Sequence, residues 1–229
     1  MEHGPAATSL SPPTERIDLP VPTLLPLGDR ALLIRFSTEL SDHANRATIA
    51  FARQLEADIP EGIAEIAPGL VSVLLRLADG ADFARLRGEL MLRIGETVDA
   101  APGVEHDVAV RFDGADLDEV AGLAGLHPRE FIARHNRRPL RVLATGFAPG
   151  FVYCGFHAAD LMLPRRESVR PMVPAGTVLF AAGQTAISAT PIRTGWHVIG
   201  QTTFQNFDLE ATPPTRLSPG DLVRFTEAA

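Results

Sequence analysis

An arginine cluster marks the segment of this sequence best suited to holding an anion. Arg165, Arg166 and Arg170 lie within LPRRESVRPMVPAG, the densest basic stretch of an acidic chain. A guanidinium group presents paired donors that match the two oxygens of a carboxylate or a phosphate. The cluster predicts either an anion site or a solvated loop with partners such as Glu167.

A histidine in a strand-like segment is the best available group for proton transfer. His197 follows Trp196 in TGWHVIGQT, and alternation along a strand would place these two side chains on opposite faces. An imidazole ionises close to neutral pH and can therefore act as an acid or a base. A single strand histidine is more often structural, and both interpretations stay open.

Two further segments have the composition of binding loops. In GQTA, Gln184 and Thr185 place an amide and a hydroxyl beside a turn, where they could contact a carbonyl or carboxylate group. The stretch TGFAPGFVYCGF contains Gly146, Gly150 and Gly155, which permit close backbone approach or positive φ. It predicts either the wall of a site or a buried turn whose phenylalanines fill the core.

The remaining chemistry is limited by what the sequence lacks. Cys154 is the only cysteine, so it can form neither an internal disulfide nor an all-cysteine metal site, and we expect an inert thiol. Phosphate-binding P-loops, serine-hydrolase elbows and zinc-protease helices have characteristic motifs, and none of these motifs occurs. No metal site is predicted.

Composition favours a globular, cytoplasmic protein. The chain has 229 residues, of which 45% are hydrophobic, enough to bury a substantial core. Its 21 basic and 28 acidic residues give a net charge of −7, which does not favour nucleic acid or an anionic membrane. No apolar run approaches the roughly 20 residues of a membrane span.

The first half of the sequence predicts a small α/β domain over residues 23–100, after a disordered tail at residues 1–22. Strand-like runs at 31–36 and 70–77 alternate with helical stripes at 41–58 and 82–94. With the run IAEIA before the second of these strands, the order is strand, helix, strand, strand, helix. This order is most of a ferredoxin-like unit.

The second half, residues 101–229, predicts a small β-barrel. A strand at 107–112 precedes two short helices, the first capped by Asp116 and the second starting at Pro128 and running to about His135. Short apolar runs separated by Gly and Pro then continue to the end of the chain, as in closed or sandwiched β-structure. The fold class is therefore α+β.

Five motifs of the second half, in this order, resemble one family. They are GFAPGFVYCG, LPRRESVRPMVPAGTV, AGQT, GWHVIGQT and LSPGDLVRF, and PLGDRALLIRF and FIARHN match the same family. It is the family of the B-type subunits of 5-oxoprolinase, also described as allophanate hydrolase subunit 1 and as the sporulation kinase A inhibitor. The resemblance implies a ferredoxin-like N-terminal α/β domain followed by a cyclophilin-like β-barrel.

The resemblance also implies an activity and partners. A B-type subunit would act with A-type and C-type subunits on 5-oxoproline, a small lactam, opening it to glutamate at the expense of ATP. The alternatives are a subunit of the allophanate hydrolase or urea carboxylase type, and a non-catalytic inhibitor of a sensor histidine kinase that docks through Phe151, Tyr153 and Phe156.

Site residues follow from the matching motif positions. Arg165 and Arg166 would hold a carboxylate or phosphoryl oxygen, and His197 would transfer the proton. The binding residues would be Gln184, Thr185, Gly150 and Tyr153. The sequence departs from the family pattern at Val152, residues 186–190, His197 and Gln201, in segments that a ligand would touch.

Overall fold

The first half of the chain forms a four-stranded antiparallel sheet packed against helices. The computed structural model describes residues 15–17, 20–94, 98–100 and 103–228. The sheet order is β2-β3-β5-β4. The elements are β1 (Glu15–Ile17), β2 (Thr23–Leu27), β3 (Ala31–Arg35), α1 (Asp42–Ala57), β4 (Ile63–Pro68), β5 (Ser72–Leu77), α2 (Phe83–Arg93) and β6 (Val98–Ala100).

Local sequence accounts for both helices. Ser41 accepts a hydrogen bond from the amide of Ala44 at 3.2 Å and so caps α1, and Asp82 caps α2 in the same way. Ala47, Phe51 and Leu55 lie on one stripe of α1 and are fully buried. The predicted helices at 41–58 and 82–94 are therefore confirmed.

The edge of this sheet differs from the predicted ferredoxin-like unit. Such a unit would add a strand after the second helix beside its first strand. Here β2, which precedes β3, occupies that position, while β6 pairs instead with β1. The ferredoxin-like connectivity is therefore not confirmed.

Part of the predicted tail is ordered, because Glu15–Ile17 form a strand. Residues 1–14 and 18–19 lie outside the described residues.

The second half is dominated by a seven-stranded, curled half-barrel sheet with the order β14-β11-β12-β9-β8-β15-β7. Backbone hydrogen bonds of 2.8 and 2.9 Å between Arg111 and Gln201 join its two ends. Its elements are β7 (Glu105–Val110), α3 (Leu117–Leu123), α4 (Pro128–His135), β8 (Leu140–Thr145), β9 (Val152–Gly155), a 3₁₀ turn (Ala159–Leu161), β10 (Arg170–Val173), β11 (Thr177–Ala181), β12 (Gln184–Ile187), β13 (Ile192–Thr194), β14 (His197–Gln201) and β15 (Leu222–Glu227). The α+β class is confirmed.

The two faces of the curled sheet bury different side chains, because successive residues of a strand point to opposite faces. On the concave face, strand residues such as Phe180 and Phe225 pack against Val120 of α3 and Phe131 of α4. On the convex face, a smaller cluster that includes Trp196 lies against the two-stranded ribbon β10-β13. The faces thus provide two separate environments for functional side chains.

Polar contacts hold the two halves together. Asn45 of α1 donates through Nδ2 to the carbonyls of Leu70 at 2.8 Å and Leu143 at 2.9 Å. Arg53 donates to the carbonyl of Pro219 at 2.7 Å. In the described part of the chain, no helix combines the length and apolar character needed to cross a membrane.

Candidate functional site

Two buried histidines share one threonine hydroxyl on the concave side of the sheet. Nε2 of His135 lies 2.7 Å and Nε2 of His157 lies 2.8 Å from Oγ1 of Thr185. Nδ1 of His135 donates to Oδ1 of Asn136 at 2.7 Å. Its Nε2 is then an acceptor for the Thr185 hydroxyl, whose oxygen accepts from Nε2–H of His157. The three side chains form a directed hydrogen-bond chain.

Three different segments of the fold position these hydrogen-bonded side chains. His135 is the last residue of α4, Thr185 points inward from β12, and His157 follows β9. Burial lowers the pKa of His135 to about 4, although its hydrogen bond to Asn136 acts in the opposite direction. Burial also lowers the pKa of His157, with smaller contributions from His135 and Arg138. Both imidazoles are therefore neutral at pH 7.

A second polar centre is the carboxylate of Asp116, whose side chain is 3% exposed. It accepts from Arg166 at 2.5 Å, from both Nε and Nη2 of Arg170, and from the backbone amide of Val198 at 2.8 Å. Burial by itself raises the pKa of Asp116, but these hydrogen bonds and charges outweigh it and lower the pKa overall. Arg166 and Arg170 are thus committed to an internal ion pair.

The prediction that the side chain of Asp116 caps α3 is wrong. The residue does precede α3, but its side chain makes no capping hydrogen bond. Its carboxylate instead joins β14 to the arginine-bearing segment, because two guanidinium groups and a strand amide compete for the same oxygens. From its position just before a helix, Asp116 was predicted to bond only to the nearby helix backbone.

A run of aromatic rings covers the convex face. Ring centroids lie 5.5 Å apart for Phe147 and Phe151, 4.8 Å for Phe151 and Tyr153, and 5.9 Å for Tyr153 and Trp196. The guanidinium of Arg165 lies 5.7 Å from the centre of the Trp196 ring, within cation–π range. Burial raises the pKa of Tyr153, and Arg165 partly offsets this. Arg165 is exposed, so its charge is accessible to a ligand.

The loop before β9 holds one end of this aromatic run. Gly150 has φ +67, and a Cβ there would come within 2.5 Å of Phe207 and 2.7 Å of Ala189, so only glycine fits. Its carbonyl accepts from Asn206 at 2.9 Å. Phe147 has φ +77 and is 74% exposed, an unfavourable backbone conformation that presents an aromatic ring to solvent.

His197 and Gln184 are both buried, with 1% and 8% exposure. Nε2 of His197 donates to the carbonyl of Pro164 at 3.1 Å, whereas its Nδ1 has no hydrogen-bond partner. Oε1 of Gln184 and Nε of Arg166 are also buried without a partner. Such atoms are unusual in folded proteins and are the ones a bound polar group could satisfy.

The predicted site residues therefore divide between two faces. Arg165 and Tyr153 belong to the convex aromatic run, whereas Thr185 and His197 lie on the concave side with Phe180. Gln184 precedes Thr185 and so lies on the other side of β12. No single small molecule touches both faces of one sheet, so the predicted residues do not form one site in this structure.

Other sequence features have structural roles. Val152, a departure from the family pattern, is fully buried in the concave core. The amide of Gln201, another departure, donates to the carbonyl of Ala175 at 2.6 Å. Cys154 is fully buried, and burial raises the pKa of its thiol, which confirms the expected inert cysteine.

The pairing of His135 with His157 could not be predicted from the sequence. In the sequence, His135 marks only the end of a predicted helix and part of FIARHN, and no local pattern marks His157. The two are 22 residues apart on different elements, so only the folding of α4 against β9 and β12 brings them together. In the described ranges, no group of three or more His, Cys, Asp or Glu side chains is placed to hold a metal ion.

Comparison with known proteins identifies the family. The profile of the carboxyltransferase domain, subdomain C and D, matches residues 22–217. The chain belongs to this carboxyltransferase domain family. It is 32% identical over 215 residues to the B-type subunit of 5-oxoprolinase from Bacillus subtilis (strain 168), covering 87% of this chain and 90% of that protein. The corresponding 5-oxoprolinase subunit of Haemophilus influenzae is 31% identical, with coverage of 88% and 96%.

Two solved structures share the fold of this chain. The crystal structure of TTHA0988 superposes with a TM-score of 0.77 at 33% identity, over 87% of this chain. This chain spans only 40% of the length of TTHA0988. The urea amidolyase of K. lactis gives a TM-score of 0.73 at 15% identity, covering 96% of this chain and 16% of that one, and so shows the fold alone.

Proposed function

We propose that this chain is the B-type subunit of a heteromeric 5-oxoprolinase-type amide hydrolase. With A-type and C-type subunits it would convert 5-oxoproline to glutamate, with ATP as the cofactor consumed in the complex. The observation that carries this proposal is the near full-length match to the B-type 5-oxoprolinase subunit of B. subtilis, at 32% identity. Because that relative is named as a subunit, the match also supports a heteromeric assembly.

The convex surface supports the idea that this chain supplies part of a shared site. Arg165 is exposed beside Trp196, Tyr153 is half-buried next to it, and Phe147 projects into solvent nearby. In this proposal Arg165 binds the carboxylate of the substrate, Tyr153 contacts its ring, and the loop at Gly150 shapes the wall. A C-type barrel would close the opposite side.

The remaining predicted residues have different roles in this proposal. Arg166 acts as a positioning residue, because its ion pair with Asp116 fixes the segment that carries Arg165. Gln184, with its unpaired Oε1, is the proposed amide contact, and Thr185 holds the buried histidines in place. His197 lies on the concave side, away from Arg165, so the predicted proton transfer by His197 to a substrate held at Arg165 is not part of this proposal.

The geometry gives less support to a sensor-kinase inhibitor. That alternative requires Phe151, Tyr153 and Phe156 to be exposed on a flat face. Phe151 is 3% exposed, and the other two are half-buried. The allophanate or urea type shares the same fold and differs in its amide substrate, so it becomes an outcome of the activity test.

The direct test is reconstitution. This chain is co-expressed with candidate A-type and C-type subunits, the complex is purified, and glutamate formed from 5-oxoproline is measured. Glutamate production that needs all three chains supports the proposal. A stable complex that acts on urea or allophanate but not on 5-oxoproline would replace it with the related amide chemistry, and failure of the chains to associate would contradict a subunit role.

A further inference from the structure

A cleft between the two halves of the chain combines two arginines with one carboxylate. Its volume is about 390 Å³, within the range of small-molecule sites. Asp42 comes from α1 and Arg141 from β8, while Arg138 lies in the turn between α4 and β8. The apolar lining comes from Pro139, Phe156 and Leu222.

The charges of this cleft do not cancel. Arg141 pairs with Asp42 and also donates through Nε to Oδ1 of Asn45 at 3.3 Å. Arg138 donates through Nη2 to the carbonyl of Phe156 at 2.6 Å. Among the residues that the structure describes, Arg138 forms no ion pair. Two guanidinium groups against one carboxylate leave one uncompensated positive charge.

The donors of Arg138 suit a planar anion. A guanidinium group has five N–H donors, and the bond from Nη2 to the carbonyl of Phe156 uses one of them. A carboxylate can accept two parallel hydrogen bonds from such a group. Arg138 is exposed, so a ligand in the cleft can reach its remaining donors.

We propose that this cleft binds a small organic carboxylate, with Arg138 as its anchor. One carboxylate would neutralise the excess charge, whereas a dianionic phosphate would be repelled by Asp42. The apolar side chains would contact the body of the ligand. Because Asp42 belongs to the first half and Arg138 to the second, the ligand would bridge the two halves of the chain.

This carboxylate site is distinct from the convex surface around Arg165. It involves the α4–β8 turn and the end of β9, and none of its lining residues belongs to the aromatic run. Carboxylate binding here is independent of the activity of the complex, so the two proposals can fail separately.

The binding test uses matched acids and amides on the full chain. Isothermal titration calorimetry compares 5-oxoproline and benzoate with 5-oxoprolinamide and benzamide, which replace the carboxylate by a neutral amide. We expect the acids to bind and the amides to bind at least about tenfold more weakly, because a charged hydrogen bond is lost. Acids and amides of equal affinity would overturn the proposal.

Neighbouring arginines provide the control. Arg138→Gln should weaken acid binding at least about tenfold. Arg137 is exposed and lies outside the cleft, so Arg137→Gln should leave acid binding unchanged. Asp42→Asn should strengthen acid binding several-fold, because it removes the competing carboxylate. The thermal unfolding of each variant is measured in parallel to confirm that it folds.

Three results would contradict this assignment. The first is equal acid affinity in the Arg138→Gln and Arg137→Gln proteins. The second is the absence of acid binding to the wild-type chain up to about 10 mM. The third is an active complex that hydrolyses 5-oxoproline but binds no carboxylate through Arg138, which would leave the proposed function standing.

Discussion

Oγ1 of Thr185 lies 2.7 Å from Nε2 of His135, and both side chains are buried on the concave side of the barrel-like sheet. The same hydroxyl accepts from His157, so one threonine satisfies two neutral imidazoles. These groups lie among Phe131, Phe180 and Phe225. Stability should therefore depend on pH and on this hydroxyl.

Acid should destabilise the protein below pH 6.5. The native pKa of His135 is about 4, lower than the value near 6.5 of an unfolded chain. As pH falls through this window, the unfolded state takes up a proton that the native state does not, so the free energy of unfolding decreases by about 3 kcal/mol. Urea unfolding at pH 7.5, 5.5 and 4.5 measures this change.

Two variants identify the source of the acid effect. His135→Gln should reduce the pH dependence, although His157 retains a contribution of the same sign. His43→Gln, on the exposed side of α1, should retain the full dependence. Identical pH profiles for both variants would rule out His135 as the titrating group.

Removal of the Thr185 hydroxyl should cost more than removal of its methyl group. Thr185→Val leaves two buried imidazole nitrogens without a partner, and each such loss costs about 1–3 kcal/mol. Thr185→Ser keeps the hydroxyl and should cost about 1 kcal/mol. Chemical unfolding of the two variants gives the comparison, and a valine variant as stable as the serine variant would argue against the shared hydrogen bond.

The Asp116 carboxylate should contribute far more stability than its neighbour Glu119. Asp116→Asn removes the charge that pairs with Arg166 and Arg170, and breaking such a partly buried cluster should cost about 3 kcal/mol. Glu119 is 55% exposed and 3.3 Å from Arg166, so Glu119→Gln should cost less than about 1 kcal/mol. Thermal unfolding at pH 7 separates the two, and equal losses would contradict the ion-pair assignment.

Arg165 and Arg166 should respond differently to substitution. Arg165→Ala should lower turnover of the complex at least about tenfold without changing the midpoint of unfolding, because Arg165 is exposed and has a direct role in the proposal. Arg166→Ala should lower the stability of the chain itself, since it breaks the pair with Asp116. Arg129→Ala, on the exposed surface of α4, is the control. Unchanged turnover in Arg165→Ala would remove this residue from the site.

Local sequence predicted the helices well. Ser41, Asp82 and Pro128 specify helix starts through capping or a fixed φ, and the helices begin beside them as predicted. The β-rich second half was also predicted, because short apolar runs between glycines and prolines are typical of closed or sandwiched β-structure. Family resemblance added the relation to the B-type subunits of 5-oxoprolinase.

Contacts between residues distant in sequence could not be predicted from local patterns. The arginines of the predicted anion site looked equivalent in sequence, but Asp116, about 50 residues earlier, neutralises Arg166 and leaves Arg165 exposed. His157 and Arg138 belong to no recognised motif, and their contacts arise only where α4, β8 and β9 meet. The edge strand β2 was missed because strand order depends on pairing rather than on periodicity.

The most direct test of the subunit proposal is ATP hydrolysis that depends on 5-oxoproline. Purified A-type and C-type subunits are assayed alone, with this chain, and with its Arg165→Ala variant, and phosphate release is followed with and without 5-oxoproline. We expect substrate-dependent release only when the wild-type chain is present, and a clear loss with the variant. Equal release with and without this chain would contradict its role as an essential subunit.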